Sequence, residues 1–115
     1  MNCAKESHFK AAKRVLRYVK GTINYGIKFC RSQNFKLQGY SDSDWAGSLD
    51  DMKSTSGYCF SSGSGIFSWC SKKQEIVAQS TTEAEFIAAT AAVNQALWLR
   101  KILSDMHLEQ RETTQ

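Results

Sequence analysis

From Ser80 to about Met106 the chain holds a helical hydrophobic period with no glycine or proline to interrupt it. A helix of that length, about 40 Å at 1.5 Å per residue, needs a surface to lie on. The preceding residues supply one, because their period is two. Tyr25 to Cys30 alternates Tyr25, Ile27 and Phe29 with smaller or polar residues, and a second extended run from Phe35 to Trp45 follows the turn-like Arg31 to Asn34. After a loop from Gly47 to Lys53, Thr55 to Ser62 and Ile66 to Cys70 flank Gly63-Ser64-Gly65 as a hairpin. The sequence therefore predicts an α+β fold: a mainly antiparallel sheet of three to five strands with one long C-terminal helix packed on it.

A shorter helix opens the chain. Ser7 is a candidate N-cap, Phe9, Ala12, Val15, Leu16 and Val19 form one face, and Gly21 stops it. Lys10, Lys13, Arg14, Arg17 and Lys20 fill the rest, making a basic amphipathic helix. Its expected role is to pack by its apolar stripe on a larger body, with phosphate contact as a second role.

Charge divides the chain in two. Residues 1–38 hold nine Lys or Arg against the single acid Glu6, or +8, and residues 39–115 hold six bases against ten acids, or −4. That asymmetry suits a nucleic-acid partner at the basic end and cation binding at the acidic end. At 115 residues, 42% hydrophobic and 23% charged, the chain has the size of one small domain. No apolar run reaches the ~18 residues of a membrane span, and the start lacks a secretory signal, so a cytoplasmic or nuclear protein with no membrane partner is expected. Cys3, Cys30, Cys59 and Cys70 form no CxxC pair, and His8 and His107 stand apart, which argues against zinc and for reduced thiols.

Carboxylates mark two places. Period two puts Asp42 and Asp44 on one strand face, where they repel unless a cation lies between them. At the head of the long helix, Glu83 and Glu85 are about 200° apart around the axis, so one of them faces the sheet. Glu85 shares its face with Ala88, Ala89, Ala92, Ala96, Leu99 and Leu103, whereas Glu83 runs to Thr90, Asn94 and Lys101. Glu85 is therefore expected at the head of a buried stripe of small residues, with Glu83 serving the helix dipole in solvent. A strand aspartate followed by a glutamate on the next long helix points to a divalent-cation site.

Four consecutive motifs carry a family resemblance: Gly39-Tyr40-Ser41-Asp42-Ser43-Asp44-Trp45-Ala46-Gly47, Ser54-Thr55-Ser56-Gly57-Tyr58, Ser68-Trp69-Cys70-Ser71-Lys72-Lys73-Gln74 and Ser80-Thr81-Thr82-Glu83-Ala84-Glu85-Phe86. In order and spacing the chain resembles the ribonuclease H domain of copia-type retrotransposon Pol polyproteins. His8 to Tyr18 and Lys20-Gly21-Thr22 resemble the segment joining reverse transcriptase to that domain. The resemblance implies a joining segment over 1–35 and an incomplete ribonuclease-H-like domain over 36–115. It also implies Asp42 and Glu85 as catalytic, metal-binding carboxylates and Asp44 as a neighbouring acid. The parent activity would be hydrolysis of the RNA strand of an RNA–DNA hybrid with two Mg²⁺ (or Mn²⁺) ions. Lys72 and Lys73, with Lys10, Lys13, Arg14 and Arg17, are the candidate nucleic-acid contacts. Hybrid and the remainder of the polyprotein are the implied partners.

The family pattern continues into another strand bearing a third metal-binding aspartate, and the chain reaches Gln115 without it. Asp105 is no substitute, lying about 20 residues and about 30 Å from Glu85 along one helix. The expectation is a truncated domain whose activity is lost and whose cation binding is weak. The alternatives are a non-catalytic nucleic-acid-binding remnant and a structural remnant. The strand of Asp42 is expected to carry an open edge, unless Tyr25 to Cys30 covers it.

Overall fold

The computed structural model describes residues 5–31 and 35–115; Cys3 and residues 32–34 of the expected turn lie outside them. The elements run α1 (Glu6–Gly21), β1 (Gln38–Ser43), β2 (Thr55–Ser61), β3 (Ile66–Lys73) and α2 (Thr81–Asp105).

The strands form one antiparallel sheet in the order β1-β2-β3. Its register is fixed by a tight hairpin at Gly63, which takes φ +92°, a left-handed conformation that glycine adopts without strain. Along β2 the residues Ser56, Tyr58 and Phe60 turn toward α2, with Phe60 only 1% exposed. Register puts Gly39, Ser41 and Ser43 of β1 on that same face, and a Cβ at Gly39 would strike the Phe60 ring. Leu37, Phe60, Leu99 and Leu103 make the core, with Phe35, Tyr58 and Ala96 against it.

Helix α2 starts where Ser80 caps it, its side chain accepting from the Glu83 N–H at 3.1 Å. Ala84 and Ala88 are buried beneath it, so small side chains bring its axis close to the sheet. After α2 the chain turns back. Arg100 donates to the carbonyls of Gln110 (2.5 Å) and Glu112 (2.7 Å), pinning the final residues beside β1.

Several sequence expectations change here. The N-cap of α1 is Lys5, whose N–H donates to His8 Nδ1 at 3.1 Å, and not Ser7, which lies within the helix. Tyr25 to Cys30 is no strand: it pairs with no strand among the described residues, and Ile27 and Phe29 instead lie against the hairpin turn at Gly65. The run expected from Phe35 to Trp45 is a strand only over Gln38–Ser43, whereas β3 extends past Cys70 through Lys73 by pairing with Thr55 and Ser56. Among the described residues α1 contacts no other helix or strand. Its apolar face, with Phe9, Val15, Leu16 and Val19, is exposed.

Candidate functional site

Asp42 lies near the end of β1, opposite Gly57 of β2. Alternation turns its side chain to the sheet face away from α2, where it is exposed and accepts from the Ser43 N–H at 2.9 Å. The neighbouring row on that open face is Tyr40, Cys59 and Trp69, aligned across three strands, with Tyr40 58% and Trp69 71% exposed. Because Gly57 has no side chain, nothing from β2 stands beside the Asp42 carboxylate.

Asp44 does not share that position. Strand β1 ends at Ser43, and Asp44 turns into the following loop, where Oδ1 accepts from the Thr55 N–H and the carboxylate lies against Gly47. A side chain at Gly47 would collide with it, so the Asp44 carboxylate and glycine 47 form one turn. Ala46, at φ 51°, is held there by its N–H bond to Ser54 Oγ at 3.0 Å. Asp44 therefore clamps the start of β2 and is not a second acid beside Asp42.

Glu85 is exposed, and the buried stripe of α2 is headed instead by Ala84, followed by Ala88, Leu99 and Leu103. One residue changes the helix phase by about 100°, which accounts for the difference. The direction of Glu85 is nonetheless defined. It leads the row of Ala89, Ala92, Val93 and Ala96, and these line a cleft of about 390 Å³ with Gly39, Tyr40 and Ser41 of β1. Glu83 belongs to the opposite row with Ile87 and Ala91, on the side of Cys70 and Lys72 of β3. It is also engaged, since its Oε2 accepts from the Gln79 N–H at 2.7 Å, one residue before the cap Ser80. Of the two glutamates, the one on the β1 side is Glu85.

The bases are distributed elsewhere. Lys73 Nζ donates to Ser48 Oγ (2.9 Å) and Asp51 Oδ2 (3.0 Å), tying β3 to the loop before β2. The bonds from Ser48 and then Lys73 hold the Asp51 carboxyl down at about 2. Lys72 stands 3.9 Å from Glu75. Both lysines belong to β3. On α1, Lys10 pairs with Glu6 at 3.0 Å and Lys13 sits over the Phe9 ring at 4.6 Å, while Arg14 and Arg17 have no ion-pair partner among the described residues. The basic helix and the carboxylates are not brought into contact.

Asp42 and Glu85 offer hard oxygen donors of the kind Mg²⁺ or Mn²⁺ takes. Their number is insufficient. No three His, Cys, Asp or Glu side chains among the described residues come together as a metal site, so these residues alone do not fit a pair of divalent ions. No helix among the described residues is long and apolar enough to cross a membrane.

Comparison with known proteins places these features in context. The chain is 45% identical over 107 residues, 93% of its length, to the retrovirus-related Pol polyprotein from transposon TNT 1-94 of Nicotiana tabacum. It is 41% identical over 106 residues, 92% of its length, to the corresponding polyprotein from transposon RE1 of Arabidopsis thaliana.

The chain is related to transposon Pol polyproteins.

A match covering 93% of the chain necessarily takes in both Asp42 and Glu85. This Pol-related chain spans 8% and 7% of those two polyproteins. It is also 50% identical over 93 residues to the secreted RxLR effector protein 161 of Plasmopara viticola, a match of 81% of its own length and 66% of that protein. No protein-family model and no solved structure matches the Pol-related chain.

Proposed function

We propose that this chain is a ribonuclease-H-like part of a copia-type Pol polyprotein, contributing Asp42 and Glu85 to hydrolysis of the RNA strand in RNA–DNA hybrids. The observation that carries the reading is that Glu85 is exposed in the first turns of α2, on the helix row whose later members Ala89, Ala92, Val93 and Ala96 line the cleft beside β1, the strand whose opposite face carries Asp42. Asp44 and Glu83, the competing acids in the same two motifs, each accept a backbone N–H, from Thr55 and from Gln79. The four motifs, two of which hold these acids, fall on a strand, a hairpin and a long helix in chain order. Mg²⁺ or Mn²⁺ is the proposed cofactor, with further ligands supplied from outside this pair of carboxylates. Lys72, Arg14 and Arg17 are the bases proposed to meet phosphates.

The test replaces the matched segment of the tobacco Pol polyprotein with this chain and measures cleavage of a labelled hybrid in Mg²⁺ or Mn²⁺. The expected result is cleavage of the RNA strand that falls at least about 100-fold in Asp42→Asn, the scale on which a misplaced reacting group is felt. A polyprotein that cleaves with its own segment and not with this one would overturn the reading. Salt-dependent hybrid binding without cleavage would mark a non-catalytic nucleic-acid-binding role instead.

A further inference from the structure

We infer that Gln74 is a positioning residue that sets Glu85 relative to Asp42 through a buried amide bridge, an inference that rests on the proposed roles of those two acids. Gln74 follows β3 directly and is only 6% exposed. Its backbone N–H donates to the Ser54 carbonyl at 2.8 Å, which fixes the chain at that point against the start of β2. From there its side-chain Nε2 donates twice, to Ser56 Oγ at 2.8 Å and to the Ala84 carbonyl at 3.0 Å.

One end of this bridge lies next in sequence to Glu85, and the other lies on β2 opposite the residue that follows Asp42. Ala84 directly precedes Glu85 in α2 and is fully buried. Ser56 directly precedes Gly57, the register partner of Asp42, and itself pairs with Ser43. One amide thus ties the first turns of α2 to the part of β2 that pairs with the end of β1, where Asp42 sits. A purely apolar contact there would leave the helix free to slide, because Ala84 and Ala88 are small and offer little shape to lock it. A pair of directional bonds to one carbonyl and one hydroxyl removes that freedom. The other end of the amide, Oε1, is buried and has no hydrogen-bond partner among the described residues. An apolar residue of the same length would avoid that cost, so the Nε2 bonds are what favour glutamine here.

The experiment is hydrogen exchange read peptide by peptide on the 115-residue chain, comparing wild type with Gln74→Met and with Ser56→Ala. Gln74→Met keeps the length and removes both bonds, and Ser56→Ala removes one and serves if the first variant does not fold. Exchange in the peptide from Ala84 to Ala88 is expected to rise about tenfold in Gln74→Met and less in Ser56→Ala, with under twofold change from Ala96 to Leu103. A rise spread evenly along α2, or none at all, would show that Gln74 contributes only general stability and would overturn the inference. The same variants in the swapped polyprotein should lower kcat for hybrid cleavage and leave KM within about twofold. Local loosening with unchanged kcat would also overturn it. If the wild-type segment itself does not cleave, the proposed function fails, while the exchange result still decides whether Gln74 holds the helix start.

Discussion

Asp51 titrates far below an ordinary aspartate because Ser48 and Lys73 both bond its carboxylate. Its pKa falls from 3.8 to about 2, so the link between β3 and the loop before β2 is intact at neutral pH and is lost as the pH falls from about 4 through about 2. An NMR titration of Asp51 should have its midpoint near 2, and Lys73→Met should move it upward; a midpoint that Lys73→Met leaves in place would remove the lysine from the cause. Asp44 is a second acid with structural work: Asp44→Ala should destabilise by about 1–2 kcal/mol in a denaturant melt, through loss of its bond to the Thr55 N–H. That role was not legible in the sequence. Alternation along Tyr40-Ser41-Asp42-Ser43-Asp44 gives Asp44 the face of Asp42 only if the strand continues, and β1 ends at Ser43. Gly47, against which the Asp44 carboxylate turns, is the sequence signal that a tight turn begins there. Glu85 was misplaced by one residue of helix phase, since periodicity among so many alanines does not distinguish a face headed by Ala84 from one headed by Glu85.

At the scale of elements, the two helices differ in what holds them. Helix α2 buries Ala84, Ala88, Leu99 and Leu103 against the sheet, while α1 buries none of its residues. Leu16→Lys should therefore change stability by no more than about 0.5 kcal/mol, whereas Phe60→Ala should cost about 3–5 kcal/mol, both read from chemical denaturation. An equal cost at the two positions would mean that α1 is packed after all. The elements with a strong local signal were legible: the Gly63-Ser64-Gly65 hairpin, the start of α2 at Ser80, and its unbroken run to Asp105. The expected strand from Tyr25 to Cys30 has the right alternation and is not one, because a strand is completed by a partner edge and alternation alone does not say whether an edge is free. Gln74 escaped notice for a related reason. Its value lies in two bonds to residues 18 and 10 positions away, and no local pattern encodes them.

For the whole molecule, the outer edge of β1 decides both association and the surroundings of the proposed site. Its beginning is covered by the C-terminal residues: Gln110 Oε1 accepts from the Leu37 N–H at 3.1 Å, its Nε2 donates to the Phe35 carbonyl at 3.1 Å, and the Gln115 carbonyl accepts from the Gly39 N–H at 2.7 Å. One glutamine side chain thus stands in for a strand neighbour along an edge expected to be open, and Tyr25 to Cys30 does not cover it. Since Arg100 holds that segment in place, Arg100→Ala should lower Tm and produce concentration-dependent association in light scattering. A variant that stays monomeric with unchanged Tm would show that the segment does not protect the edge. In the proposed function the acid on the β1 side of α2, and not its neighbour two residues earlier, takes part in cleavage. Its most direct test is hybrid hydrolysis by the tobacco polyprotein carrying this chain, with Glu85→Gln and Glu83→Gln measured side by side. Glu85→Gln should lower hydrolysis at least about 100-fold and Glu83→Gln at most about threefold; equal losses, or full activity in Glu85→Gln, would show that Glu85 has no special part in cleavage.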